Sequence, residues 1–277
     1  MALPVREIQA VLQNIKTKFN SFFSERNAAP VLENTGHCPI CKHEVTFRAT
    51  EPYLRDSYFC MNCRSIPRER ALMAVIDAYY PQWRDLTIHE SSPSNRGASK
   101  RLRDESAHYI ASQFFPDKDL GTMENGFRCE NLEKLTFADS SIDLHITQDV
   151  MEHVFNPGNA FREIARTLKP GGAHIFTAPL WKKHEPSKVR ARLDANGAIS
   201  HLDSPVYHGN PIDDQGSLVT VDWGFDICRY IFEACGLFTH LVYIDDLSRG
   251  IRADLIEVLV TIKPKEDAPG DAAPNMA

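Results

Sequence analysis

Apolar residues in the first stretch of the chain fall at Val5, Ile8, Val11, Leu12, Ile15, Phe19, Phe22 and Phe23. Steps of three and four put them on one face of an amphipathic helix over residues 5–24. Packing on the same chain is the expected use of that face. A homodimer contact or a lid over a pocket is the alternative. Short runs at Val45-Thr46-Phe47 and Ser57-Tyr58-Phe59 read as strands. Pro67 suits the first turn of a helix that continues through Arg70 to Ile76 and stops near Pro81. From Leu86 the pattern changes. Apolar runs at 86–90, 108–112, 142–147 and 173–178 alternate with helical stretches near 97–104, 157–168 and 222–235. Two more strand-like runs follow at 239–244 and 255–262. This alternation predicts an α/β fold, a mainly parallel sheet with helices on both faces. The expected organisation is an N-terminal helix in 1–35, a cysteine-rich unit and its following helix in 36–82, and the α/β domain in 83–263. The tail from 264 to 277, rich in Pro, Ala, Asp and Gly, is expected to be disordered.

The cysteine-rich unit carries Cys38-Pro-Ile-Cys41 and Cys60-Met-Asn-Cys63, with eighteen residues between the pairs. Four thiolates at this spacing close a tetrahedral cage around Zn²⁺. Such a cage leaves no open coordination position, so Cys38, Cys41, Cys60 and Cys63 predict a structural zinc and not one that activates water. His37 and His43 flank the first pair and read as surface neighbours. Cys129, Cys228 and Cys235 are scattered and read as small buried hydrophobes.

The charge balance narrows the partners. Lys and Arg number 31 and Asp and Glu 37, a net charge of −6. No strong overall field draws the chain to nucleic acid or anionic lipid. Basic clusters at Arg64–Arg70, Arg96–Arg103 and Lys182–Arg192 read as solvated faces. No run of about 18 apolar residues is present, so no membrane span is expected. The sequence Met1-Ala2-Leu3-Pro4-Val5-Arg6-Glu7 lacks a basic-then-apolar secretory pattern, which makes the cytoplasm the expected compartment.

Ligands of open α/β sheets bind beyond the carboxyl ends of the strands. The first such end is Ile88-His89-Glu90, followed by Ser91-Ser92-Pro93-Ser94-Asn95-Arg96-Gly97 and a helix. No G-x-G-x-x-G is present, which disfavours a dinucleotide. Further on come Cys129-Glu130-Asn131-Leu132, then Gln148-Asp149-Val150-Met151-Glu152-His153-Val154, then Arg166-Thr167-Leu168-Lys169-Pro170-Gly171-Gly172. Over residues 84–262 this series resembles the class I S-adenosylmethionine-dependent methyltransferases of the small-molecule branch, with residues 142–172 the most distinctive part.

The resemblance implies a Rossmann-like sheet that binds S-adenosyl-L-methionine. It puts Glu90 at the acid ending the first strand. Ser92 and Ser94 stand where the family has its first two loop glycines, with Arg96 or Gly97 near the third, and a left-handed backbone at a serine would cost about 1–2 kcal/mol there. Ser112 and Gln113 stand where the family has an acid for the ribose. Glu130, with Asn131 and Leu132, matches the adenine edge, and Gln148 lines the methyl-donor pocket. The stretch of about forty residues before the helix at 222–235 has no clear periodicity, and such loops are usually functional. It supplies His208 as the candidate base, with His153 second, and Trp181, Tyr207 and Asn210 as acceptor-pocket residues. The expected acceptor is a hydroxyl or amine of a small molecule or sugar. An RNA-modifying methyltransferase and a non-catalytic cofactor-binding scaffold are the alternatives.

Overall fold

Residues 28–209 and 216–265 are described in the computed structural model. The amphipathic stretch at 5–24, Asn210 and all but the first two residues of the 264–277 tail lie outside them. The chain enters through a three-stranded antiparallel sheet, β1 (Leu32–His37), β2 (Glu44–Ala49) and β3 (Phe59–Cys60), in that order. Residues 32–37 therefore belong to the cysteine unit as a strand, although the sequence pattern groups most of them with the N-terminal helix. A single helical turn, α1 (Leu54–Ser57), joins β2 to β3 and brings Ser57 out of the strand expected there. Next comes α2 (Pro67–Tyr79), with Pro67 in its first turn and the Glu69 carboxylate accepting the Ile66 N–H at 3.0 Å. Every residue from Glu69 to Ile76 is buried, as befits a helix with apolar residues on all sides.

The main sheet then begins. In chain order its parts are β4 (Thr87–Ser91), α3 (Gly97–Glu105), β5 (His108–Gln113), β6 (Met123–Glu124), β7 (Phe127–Cys129), β8 (Ile142–Gln148), α4 (Pro157–Thr167) and β9 (Leu168–Thr177). Three two-stranded ribbons follow. They pair β10 (Lys188–Val189) with β15 (Val221–Asp222), β11 (Ala191–Leu193) with β12 (Ile199–His201), and β13 (Tyr207–His208) with β14 (Ser217–Leu218). The chain ends with α5 (Ile227–Cys235), β16 (Thr239–Val242) and β17 (Val258–Ile262). The helix expected from residue 222 starts later because Val221 and Asp222 are committed to β15.

The eight strands lie in the order β16-β17-β9-β8-β4-β5-β7-β6. Strands β7, β5, β4, β8 and β9 are mutually parallel, β17 runs antiparallel to β9, and β16 runs antiparallel to β17. The parallel strands thus follow the third-second-first-fourth-fifth order of a doubly wound sheet, whose switch point lies between β4 and β8. This is the Rossmann-like architecture that the resemblance implies.

A single core joins the cysteine unit to one face of the sheet. Cys38, Phe47 and Tyr58 pack in one cluster with Leu72, Met73 and Trp83 of the α2 region and with Ile88, Leu144, Ile175 and Val258 of the strands. The other face buries Met151, Phe161, Phe176, Trp223 and Ile231. Each such side chain contributes about 1.5–3 kcal/mol by leaving water. Arg70, fully buried, fastens the join: its guanidinium donates to the Gly250 carbonyl from Nε (2.9 Å) and Nη2 (2.6 Å) and to the Tyr58 carbonyl (2.7 Å), lying over the Phe47 ring. Gly250 takes a left-handed φ of +65°, and a Cβ there would lie 2.4 Å from the Phe47 ring.

Candidate active site

A cleft of about 630 Å³ opens at the carboxyl ends of the parallel strands. Ser92 after β4, Gln113 ending β5, Gln148 ending β8 and Pro179 after β9 contribute to its floor. Its walls come from elsewhere. Tyr53, Arg55, Asp56 and Arg68 reach in from the cysteine unit and the start of α2, and Tyr207, His208 and Ser217 from the ribbons. The size suits a small-molecule site. Of the cofactor residues expected from the sequence, Ser92, Gln113 and Gln148 line this space.

The loop after β4 keeps its sharp bend without a glycine at the turn. Ser92 itself adopts φ +54°, with its N–H donating to the Ser112 carbonyl at 2.8 Å. Gly97 opens α3 at φ +58°, and a Cβ there would sit 2.2 Å from the Glu69 carboxyl carbon. Ser94 does not line the cleft: its N–H donates to Ser99 Oγ at 3.1 Å and its hydroxyl to the Arg96 carbonyl at 2.9 Å. Asp149, directly after β8, is a second left-handed residue on the cleft, at φ +53°. Strained backbone of this kind gathers at functional sites.

Glu90 and Glu130 are both buried and held by hydrogen bonds from the chain itself. Glu90 is fully buried and accepts hydrogen bonds from Ser99 Oγ (2.6 Å), Tyr109 Oη (2.7 Å) and Gln148 Nε2 (2.8 Å). Burial pushes its carboxyl above the ordinary value, and the three donors pull the other way. Glu130 is also buried and accepts from Arg128 Nε (2.7 Å), the Thr136 N–H (2.9 Å) and the Thr136 hydroxyl. Asn131 and Leu132 stand in the turn after it, with Asn131 Oδ1 accepting the Glu133 N–H and Leu132 in the core. Ser112 is buried and shares a 2.7 Å hydrogen bond with His89 Nε2.

Three residues on the cleft gave little sign of themselves in the sequence. Asp149 accepts from Arg55 Nη2 (2.7 Å) and Thr177 Oγ1 (2.9 Å), and Arg68 Nη1 lies at 2.9 Å. Burial alone would raise its pKa, but the Arg68 and Arg55 charges outweigh burial and bring it down to about 2. Arg55 also donates from Nε to the Leu255 carbonyl at 2.9 Å. The spacing of Asp149 three residues before Glu152-His153 was the one available signal; the arginines lie 94 and 81 positions away and carry none.

The two candidate bases come together. His153 lies in a turn, not on a helix, with its N–H donating to the Val150 carbonyl. Its Nδ1 lies 2.9 Å from the Leu218 carbonyl, which only accepts, so Nδ1 carries the proton and Nε2 is the free nitrogen. The Thr220 N–H donates to the Glu152 carbonyl at 2.7 Å, and the Thr220 hydroxyl to Val154 O at 2.7 Å. These bonds stitch the ribbons to the turn and hold His208 against His153, ring centroids 5.1 Å apart and edge to face. Burial lowers the pKa of both rings. Glu152, beneath them, is 1% exposed, and burial and the Asp149 charge push its carboxyl well above the usual range.

The four cysteines of the N-terminal unit form a second cluster. Their sulfurs lie within 4.8 Å of one another, Cys38 to Cys63 at 3.8 Å and Cys41 to Cys60 at 3.9 Å. A tetrahedral ion with 2.3 Å bonds requires edges of about 3.8 Å. A disulfide requires about 2.05 Å. The two knuckles repeat one geometry: Lys42 N–H donates to Cys38 O and Arg64 N–H to Cys60 O, and Lys42 and Arg64 both have positive φ.

The fold and cleft define a doubly wound α/β protein with an open cleft at its switch point. Residues 103–176 match the family described as Methyltransferase domain. The chain is similar to a dimethylglycine N-methyltransferase of Parasynechococcus marenigrum (strain WH8102), 38% identical over 50 residues; the chain spans 18% of the length of that curated relative, and the match covers 18% of this chain. Among solved structures it is similar to an S-adenosylmethionine dependent methyltransferase from Mesorhizobium loti, at TM-score 0.45 and 15% identity over 70% of this chain and 97% of that one. It is similar also to Burkholderia thailandensis 1,6-didemethyltoxoflavin-N1-methyltransferase, at TM-score 0.43 and 10% identity over 72% and 79%. Among the described residues no helix is long and apolar enough to cross a membrane.

Proposed function

We propose that this chain is an S-adenosylmethionine-dependent methyltransferase acting on a hydroxyl, or an amine, of a small molecule or sugar. In this reading Cys38, Cys41, Cys60 and Cys63 hold a structural Zn²⁺, for which their sulfur spacing is suited. One juxtaposition supports it. In a chain whose residues 103–176 match a methyltransferase domain, Ser92, Gln113 and Gln148 line a strand-end cleft that the His153–His208 pair also lines.

The cofactor, when bound, supplies an electrophilic methyl group on a sulfonium. The protein's share is positioning and proton removal. Ser92, Gln113 and Gln148 offer hydrogen bonds to the cofactor. Glu90 is a positioning residue, since it fixes the Gln148 amide at 2.8 Å together with Ser99 at 2.9 Å. Glu130 shapes the far edge through Arg128 and Thr136. A pKa lowered by burial keeps His208 neutral near pH 7 and able to take a proton from the acceptor hydroxyl, with His153 beside it. Alignment of acceptor, methyl and sulfur provides much of the rate.

Calorimetry with S-adenosylhomocysteine tests the reading. One molecule should bind per chain, and Gln148→Ala should weaken binding about tenfold, the loss of roughly one hydrogen bond of about 1.4 kcal/mol. Absence of binding to the unaltered protein would leave only a scaffold.

A further inference from the structure

Glu152 poses an unusual chemical problem. Its side chain is 1% exposed, and neither carboxylate oxygen has a hydrogen-bond partner among the described residues. A buried carboxylate without donors is costly, on the order of several kcal/mol, so the group stays protonated until something positive takes the proton's place. What faces it is a pair of imidazole nitrogens. His153 Nε2 lies 3.8 Å from Glu152 Oε1, and His208 Nδ1 lies 3.9 Å from the same oxygen. The three donor atoms lie within 4.8 Å of one another.

Resting on the reading of this cleft as a methyl-transfer site, we propose that Glu152, His153 and His208 form a binding site for a divalent transition-metal cation, separate from the four-cysteine cluster. Two imidazoles and one carboxylate are a donor set for Zn²⁺, Co²⁺ or Fe²⁺ with positions left open. Bonds of about 2.1 Å at tetrahedral angles need donors about 3.4 Å apart, so the two carboxylate–imidazole spacings close by about half an ångström. An independent observation agrees. His153 gives its Nδ1 proton to the Leu218 carbonyl at 2.9 Å, which is how a metal-binding histidine is usually held, with the other nitrogen turned to the ion. Access exists on two sides, because His208 lines both the main cleft and a smaller cavity of about 310 Å³ that Glu152 also lines. The Asp149 carboxylate is not part of the set, since Arg55 and Arg68 occupy it.

The proposal changes the role of His208. With the cation bound, both histidines are ligands and neither is a base. An acceptor hydroxyl takes an open position on the cation, and its lowered pKa lets the proton pass to water. That chemistry selects acceptors with an oxygen able to reach the ion.

The test is cobalt titration of the full chain with metal already in its four-cysteine cluster. One Co²⁺ should bind per chain, giving weak visible bands without the near-ultraviolet thiolate-to-cobalt absorption that exchange into the cysteine cluster would produce. Glu152→Gln and His208→Ala should each weaken cobalt binding at least tenfold, while S-adenosylhomocysteine affinity stays within about twofold. Glu152→Gln keeps the shape of the side chain and guards against misfolding. No stoichiometric cobalt binding, binding only with the thiolate absorption, or affinity unchanged in both variants would overturn the site. Cobalt binding in a chain that fails to bind S-adenosylhomocysteine would instead overturn the methyl-transfer reading and leave the metal site standing.

Discussion

Ser99, Tyr109 and Gln148 each give Glu90 a hydrogen bond in a space closed to solvent. Glu90→Ala removes the acceptor and strands all three donors, at about 1–3 kcal/mol for each left unsatisfied. Urea denaturation of this variant should show a loss of about 3 kcal/mol or more, with S-adenosylhomocysteine affinity falling as Gln148 comes loose. Unchanged stability would contradict the arrangement. A strand-end acid was legible in the sequence, but its orientation was not. The alternation of β4 says which residues are buried; it does not say that Ser99 and Tyr109, nine and nineteen residues on, turn toward the same carboxylate. The four cysteines were legible because each pair is a local C-x2-C pattern, and the fold brings the two pairs together. The Asp149 pair with Arg55 and Arg68 was not, because nothing local ties residue 149 to residue 55.

Strand elements carry a feature that the pattern of apolar runs conceals. His89, His145 and His174 occupy neighbouring register positions on β4, β8 and β9, all buried. All their ring nitrogens but His174 Nδ1 are matched: His89 Nε2 with Ser112 Oγ, His89 Nδ1 with His145 Nδ1 at 2.8 Å, His145 Nε2 with Thr167 Oγ1, and His174 Nε2 with Thr147 Oγ1. The 2.8 Å contact needs one nitrogen bare. Burial lowers the pKa of His89 and His174 to about 3 and that of His145 well below 6.5. The folded chain therefore refuses protons that the unfolded chain accepts once pH falls below about 6.5. Stability is fully present above that pH and is lost as pH drops toward 3. Each ring contributes about 1.4 kcal/mol per pH unit, so the three together predict a loss of about 4 kcal/mol between pH 7.5 and 5.5. Urea midpoints at those two pH values check it, and a flat profile would count against it. Most elements of this sheet were legible from periodicity, including β4, β5, β8 and α4. The short strands β6, β7 and β10 to β15 were not, because two or three residues carry no period and their pairing is set by partners.

At the scale of the molecule, the cysteine unit and the sheet share one core and one cleft. Cys38→Ser or Cys60→Ser should therefore lower bound zinc and melting temperature together, since metal binding and folding are coupled. Ligand binding at the cleft should fall as well, because Tyr53, Arg55 and Asp56 wall it from that unit. Metal analysis, thermal melting and calorimetry on the same preparation would check this. Full metal loss with an unchanged melt would refute it. The bonds that fasten the unit also set an order in time. Arg70 needs the Gly250 carbonyl, Arg55 needs Leu255, and Gly36 lies against Ser248, partners that lie about 180 to 210 positions further along the chain. A nascent chain that has not yet reached residue 255 holds a cysteine unit still waiting for its partners, so the pocket is finished only once that segment has been translated.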